Sequence, residues 1–139
     1  GHLIGNHTFN HSQLTKLGFD EAVEEINTTN AWITNISGYI PEYIRPPFGS
    51  FTDELLSETS MSVVMWNVDP LDWKYKNKDI VTDKILKNVK NGDIILMHDI
   101  FESSVDAAQT VIKELKKQDY VFVTVDKMNS NKQIIRRDK

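Results

Sequence analysis

The chain predicts an α/β fold in which parallel strands are joined by crossover helices, and three observations carry that expectation. Short apolar runs rich in β-branched residues, Met61 to Val68, Ile94 to Met97 and Tyr120 to Val125, have the length and composition of buried strands. Between them lie stretches with apolar residues at helical spacing, and no repeat, linker or low-complexity tract interrupts the alternation. At 139 residues the chain is the size of one domain with a real core, so a single domain over residues 1–139 is expected.

Gly1 to Gly5 enters at once as an apparent strand, without an initiator Met or the pattern of a signal peptide, and reads as a fragment or a processed chain. In Gly5-Asn6-His7-Thr8-Phe9-Asn10-His11, two imidazoles stand four residues apart; one helical turn would put both on one face, where a divalent ion can be held. A polar helix end with two solvated imidazoles is the plainer alternative. Asp20 to Ile26 opens a helix, its acidic residues favoured by the dipole, with Ala22, Val23, Ile26, Trp32 and Ile33 as the apolar face and Gly38 as the stop. Trp32 is expected in the core. In Arg45-Pro46-Pro47-Phe48-Gly49-Ser50 the paired prolines forbid a helix and favour an extended segment followed by a turn.

Thr52 is placed to cap a short helix through Glu58. The run ending at Val68 leads into Asp69-Pro70-Leu71-Asp72-Trp73, and a second amphipathic helix from about Asp79 to Val89 ends at Asn91-Gly92. Ile94 to Met97 delivers His98-Asp99. Ser103 or Ser104 then caps a helix with Val105, Ala108, Val111, Ile112 and Leu115 facing inward. In α/β folds functional groups gather at the carboxyl ends of strands, so His7, Arg45, Asp69, Asp72 and His98 are expected on one rim.

Composition narrows the partners. A net charge of -4, with basic residues clustered only in the tail from Lys132 to Lys139, argues against nucleic acid, and no apolar run is long enough for a membrane span. With no cysteine there is neither a disulfide framework nor a thiolate metal site.

Four motifs in order resemble those of the polysaccharide deacetylases, the NodB-homology or carbohydrate esterase family 4 enzymes: His7-Thr8-Phe9-Asn10-His11 for H-[S/T]-x-x-H, Arg45-Pro46-Pro47-Phe48-Gly49 for R-x-P-[Y/F]-G, Asp69-Pro70-Leu71-Asp72-Trp73 for D-x-x-D-W, and Leu96-Met97-His98 for L-x-H. The whole is most similar to the peptidoglycan N-acetylglucosamine deacetylase branch. The resemblance implies a distorted (β/α) barrel, incomplete at its N-terminal end. The family's first motif, T-F-D-D-G, which brings the catalytic base and a metal-ligand aspartate, is absent, and no Asp-Asp pair occurs in the chain.

By resemblance, His7 and His11 are metal ligands for a divalent ion, zinc or alternatively cobalt, nickel or iron. The backbone N–H of Phe48, set by Pro47, completes an oxyanion hole; Arg45 holds the missing base ionised; His98 is the general acid, and Asp72 is the partner that raises its pKa. Trp73 and Leu96 line a pocket for the acetyl methyl. Asp69 and Asp99 carry no assigned role. Phe48 stands where Tyr is frequent and Phe101 where a second His often follows, which leaves that histidine's contacts unfilled.

The implied activity is removal of N-acetyl groups from N-acetylglucosamine residues of an acetylated cell-wall polysaccharide, at an extracellular or cell-surface location. The isolated chain is expected to be inactive unless the missing strand comes from another fragment; pairing with that fragment or with a second copy is an implied partnership. O-acetyl ester hydrolysis on xylan-like glycans and a non-catalytic glycan-binding remnant are the competing functions. A zinc-protease reading fails because Thr-Phe-Asn between the histidines offers no Glu as base.

Overall fold

The computed structural model describes residues 1–128 and the strand Ile135–Arg136. The backbone divides into two compact units, residues 1–65 with 124–126 and 135–136, and residues 66–123 with 127–128. Each is taken by itself.

In the first unit, helix α1 (Phe19–Ser37) carries Asp20 and Glu21 in its first turn and ends where Gly38 enters the left-handed region at φ 71°, its N–H returning to the Thr34 carbonyl at 2.9 Å. That stop is the one expected from sequence. Ala22 and Ile26 are buried with Leu14, Ile44, Leu55, Leu56, Met61 and Val63. Trp32 corrects the expectation: it is 56% exposed, because six residues beyond Ile26 at about 100° per residue it points well away from the buried stripe. Helix α2 (Asp53–Thr59) begins as foreseen, the Thr52 hydroxyl accepting the Leu55 N–H at 3.2 Å.

Strand β1 (Tyr43–Ile44) pairs in parallel with β2 (Ser62–Val64), in register Tyr43↔Ser62 and Ile44↔Val63, and β2 pairs antiparallel with β3 (Ile135–Arg136). On the far side of β1, Asn6 forms a parallel bridge to Ile44. Gly5 permits that approach: a Cβ there would lie 3.2 Å from the Tyr43 carbonyl oxygen. The run Met61 to Val68 is therefore not one strand, since β2 stops at Val64.

In the second unit Val68 forms a parallel bridge to Ile95. Asn67 ends the apolar run by turning its side chain to Asp93 and to the Ile94 N–H. Helix α3 (Asp72–Tyr75) is a single turn, and α4 (Lys78–Asn88) starts at Asn77, whose side chain accepts the Asp79 and Ile80 N–H groups at 3.0 Å each. Helix α5 (Glu102–Lys117) packs Ala107, Val111 and Leu115 against Val81 and Ile85 of α4.

Two expectations for α5 are corrected. Its N-cap is Phe101, whose carbonyl accepts the Ser104 and Val105 N–H groups, so the serines lie inside the first turn. The buried face is Ser104, Ala107, Val111 and Leu115, leaving Val105 and Ile112 exposed and Ala108 half-buried. The face is turned by one residue because buried Ser104 belongs to it. Tyr120 to Val125 makes no strand: Val121, Phe122 and Val123 are exposed and Val125–Lys127 is a 3-10 turn. Strand propensity without a paired backbone yields no ladder. Alternating helices and short parallel pairings give the α/β class expected.

Candidate metal-binding and acid-base sites

The histidine motif is a loop, not the helical turn expected. Asn6 is buried, and its side chain does three things: Nδ2 donates to the Ile26 carbonyl at 2.9 Å and to Asn30 Oδ1 at 2.7 Å, while Oδ1 accepts the Thr8 N–H at 2.8 Å. That last bond is an Asx turn, a local alternative to helix. It sends Thr8 to φ 63°, and His11 stands at φ 57°. Glu25 of α1 then grips the middle of the loop, Oε2 accepting from the Phe9 and Asn10 N–H groups at 3.1 and 2.8 Å and Oε1 from Asn10 Nδ2 at 2.6 Å.

The result brings the imidazoles of His7 and His11 edge to face, ring centroids 4.9 Å apart and planes at 73°. His7 Nδ1 bonds the Arg45 carbonyl. A carbonyl only accepts, so Nδ1 carries the proton, the arrangement typical of histidines that ligate a metal through Nε2. These residues suit a divalent ion, but incompletely. Among the described residues no group of three or more His, Cys, Asp or Glu side chains is placed to hold one.

The proline segment lies beside them. Pro46 and Pro47 are buried, and a 3-10 turn at Pro47–Gly49 puts Phe48 at φ 59° with its ring 5.1 Å from that of His11. Arg45 is half-buried; burial lowers its pKa, and its Nε–H is buried with no hydrogen-bond partner among the described residues. A guanidinium N–H buried in that way suits a carboxylate. Trp32 instead lines an apolar concavity of about 380 Å³ with Ile4, Thr8, Phe9, Ile33 and Ile36.

Burial pushes the Glu25 carboxyl up, but hydrogen bonds from the Asn10 backbone, the Asn10 side chain and the Phe9 backbone outweigh it and hold the pKa below the ordinary 4.5. Because the unfolded chain binds this proton more readily, the stabilisation is full above about pH 4.5 and is lost as pH falls through the lower folded value. Urea unfolding of wild type and Glu25→Gln is expected to show a stability gap that is widest above the ordinary carboxyl value and narrows as pH falls below it. A gap independent of pH would contradict the assignment.

In the second unit, Asp72 and His98 meet as the sequence anticipates. Asp72 is 0% exposed at the start of α3; Oδ1 lies 2.8 Å from His98 Nδ1 and Oδ2 accepts the His98 backbone N–H at 2.7 Å. Burial raises the Asp72 pKa, but the His98 ring, the His98 N–H, the nearby Ser104 hydroxyl and the His98 charge together bring it below the usual carboxylate value. The carboxylate is thus ionised at neutral pH, fixes Nδ1 as the protonated nitrogen and leaves Nε2 for chemistry. Asp69, without a role in sequence, shapes the turn by accepting the Leu71 N–H at 2.8 Å. Leu71 itself stands at φ 58°. Trp73 is exposed and Leu96 buried.

Of the seven non-glycine residues with positive φ among those described, Thr8, His11, Phe48 and Leu71 adjoin or belong to the motifs. Each such conformation costs of order 1–3 kcal/mol and persists only where neighbours enforce it, a pattern associated with functional sites. Sequence reasoning missed Asn6, Glu25, Asn30 and Ser104. Asn6, two residues before Thr8, carried an Asx-turn signal; Glu25 carried none.

The fold is that of the NodB-homology class, the distorted (β/α) barrel, of which the described residues form part. Residues 1–62 match the family described as Polysaccharide deacetylase. The chain is 44% identical over 132 residues to the peptidoglycan-N-acetylmuramic acid deacetylase PdaC of Bacillus subtilis, and 38% identical over 132 residues to the peptidoglycan-N-acetylglucosamine deacetylase PgdA of Listeria monocytogenes; each match covers 95% of this chain and 28% of the relative. The solved structure of PdaC superposes with a TM-score of 0.87 at 45% identity, covering 89% of this chain and 61% of that one. A carbohydrate esterase family 4 pseudoenzyme from Bacillus anthracis superposes at 0.82 with 30% identity, covering 89% of this chain and 45% of that one. The chain is similar to members of the polysaccharide deacetylase family, and it spans little more than a quarter of the length of those two curated relatives.

Proposed function

We propose that this chain carries the metal-holding and proton-donating residues of a polysaccharide N-deacetylase acting on N-acetylglucosamine residues of peptidoglycan, at the cell surface or outside the cell. The observation that carries the proposal is the buried Asp72 carboxylate bonded at two points to His98. A divalent ion on His7 and His11, zinc or equally cobalt, nickel or iron, would polarise the acetamide carbonyl and acidify a water.

The chain's own groups do the rest. Phe48 N–H, which follows the buried prolines, would donate to the carbonyl oxygen as it gains charge. Arg45 would offer its Nε–H, which has no partner among the described residues, to the carboxylate that acts as base, a group this chain does not contain. Water oxygen adds to the carbonyl carbon, the C–N bond breaks, and His98 Nε2 delivers the proton to the departing amine, giving acetate and a free amino sugar. Trp73 and Leu96 receive the methyl. The base and third ligand would come from another segment or chain bearing an Asp-Asp pair, so residues 1–139 alone are expected to release no acetate.

A second reading has a specific observation behind it: the match to a pseudoenzyme, together with the two-ligand set, favours a glycan-binding role without turnover. The name of PdaC also makes N-acetylmuramic acid the first alternative sugar to test. Metal analysis of the purified chain decides the metal reading. Bound metal should fall to background in His7→Ala; unchanged content would remove the imidazole pair from the ligand set.

A further inference from the structure

We propose that Glu25 is a positioning residue that fixes the two imidazoles of His7 and His11 relative to each other by clamping the loop between them. As a statement about metal affinity this rests on the metal reading above; as a statement about ring placement it does not.

Phe9 and Asn10 are two of the three residues between the histidines, and both of their backbone N–H groups end on Glu25 Oε2. Oε1 takes the Asn10 side chain as well, so one carboxylate receives three donors. Bonds to an ionised acceptor are about twice as strong as neutral ones. Thr8 and His11 flank the clamped pair, both in the left-handed region, a conformation that a Thr and a His keep only under constraint. The clamp stands on firm ground: Glu25 is followed in α1 by Ile26, which is wholly buried and whose carbonyl takes Asn6 Nδ2. The loop is therefore tied to the same turn of α1 at both Asn6 and Asn10. Remove Glu25 and two adjacent N–H groups turn to water, the Asx turn alone no longer sets the path to His11, and the 4.9 Å ring contact loses its support.

The test uses the 139-residue chain with Glu25→Ala, Glu25→Gln, and Glu24→Ala as control, since Glu24 lies beside Glu25 and, among the described residues, bonds the Thr28 hydroxyl on the same helix rather than the loop. Nuclear Overhauser contacts between the His7 and His11 rings, read without metal, should be present in wild type and Glu24→Ala, lost in Glu25→Ala, and partly kept in Glu25→Gln, which retains one acceptor oxygen. Cobalt titration should show affinity about 10–100-fold weaker in Glu25→Ala and unchanged in Glu24→Ala. Circular dichroism checks that α1 is retained; if Glu25→Ala unfolds, the Glu25→Gln contacts decide. Ring contacts that survive in both Glu25 variants, or that vanish equally in Glu24→Ala, overturn the proposal. Cobalt binding that ignores His7→Ala overturns the metal reading alone, because the ring contacts are read without metal.

Discussion

Asn6→Ala is expected to lower the stability of the chain by about 3 kcal/mol, because three hydrogen bonds of one buried side chain are lost together, at about 0.5–1.5 kcal/mol each. The Thr8 N–H, the Ile26 carbonyl and Asn30 Oδ1 each share one hydrogen bond with this side chain. Its backbone also links to β1, accepting the Arg45 N–H at 3.0 Å and donating to the Tyr43 carbonyl at 2.8 Å, and those bonds survive the substitution. The loss is therefore specific to the loop. Urea unfolding measures it. With the Asx turn gone, Thr8 has no reason to remain at φ 63°, so the His7–His11 ring contact should be disrupted as well. A stability change within about 0.5 kcal/mol would mean that Asn6 is a surface-like substitution site, against its burial.

The second large effect concerns the proton. His98 is held by ring and backbone to one buried carboxylate, so its Nε2 direction is set by Asp72. In the proposed role of general acid, His98 would contribute on the order of 10²–10⁴ in rate. Asp72→Asn keeps an oxygen acceptor but removes the charge that stabilises the imidazolium, and should fall between wild type and a variant without His98. Asp72→Ala additionally strands the His98 N–H, at about 1–3 kcal/mol of stability.

Much of this was legible in the residues. Gly38 stopped α1 and Thr52 capped α2 because those signals act within one turn of chain and depend on nothing distant. Asp72 and His98 were paired only through the family motifs; 26 residues separate them, and no local rule joins them. The histidine loop was misread as a turn of helix, since spacing four is helical only if the backbone is, and Asn6 gave that backbone another partner. Trp32 and the α5 face were misplaced for a related reason: apolarity fixes a stripe to within a residue or so, and one buried serine turned α5. Tyr120 to Val125 had strand composition, which cannot supply the neighbouring backbone a strand requires. The Glu25 clamp joins groups 15 and 16 residues apart through a carboxylate that reads in sequence as an ordinary helix-surface charge.

The central claim is that these 139 residues carry the acid of an N-deacetylase. It is tested most directly by acetate release from N-acetylated peptidoglycan by a chimera in which residues 1–139 replace the aligned stretch of B. subtilis PdaC, with and without His98→Asn. The account predicts that the chimera releases acetate and that His98→Asn slows release by on the order of 10²–10⁴. Equal rates in the two proteins would contradict it.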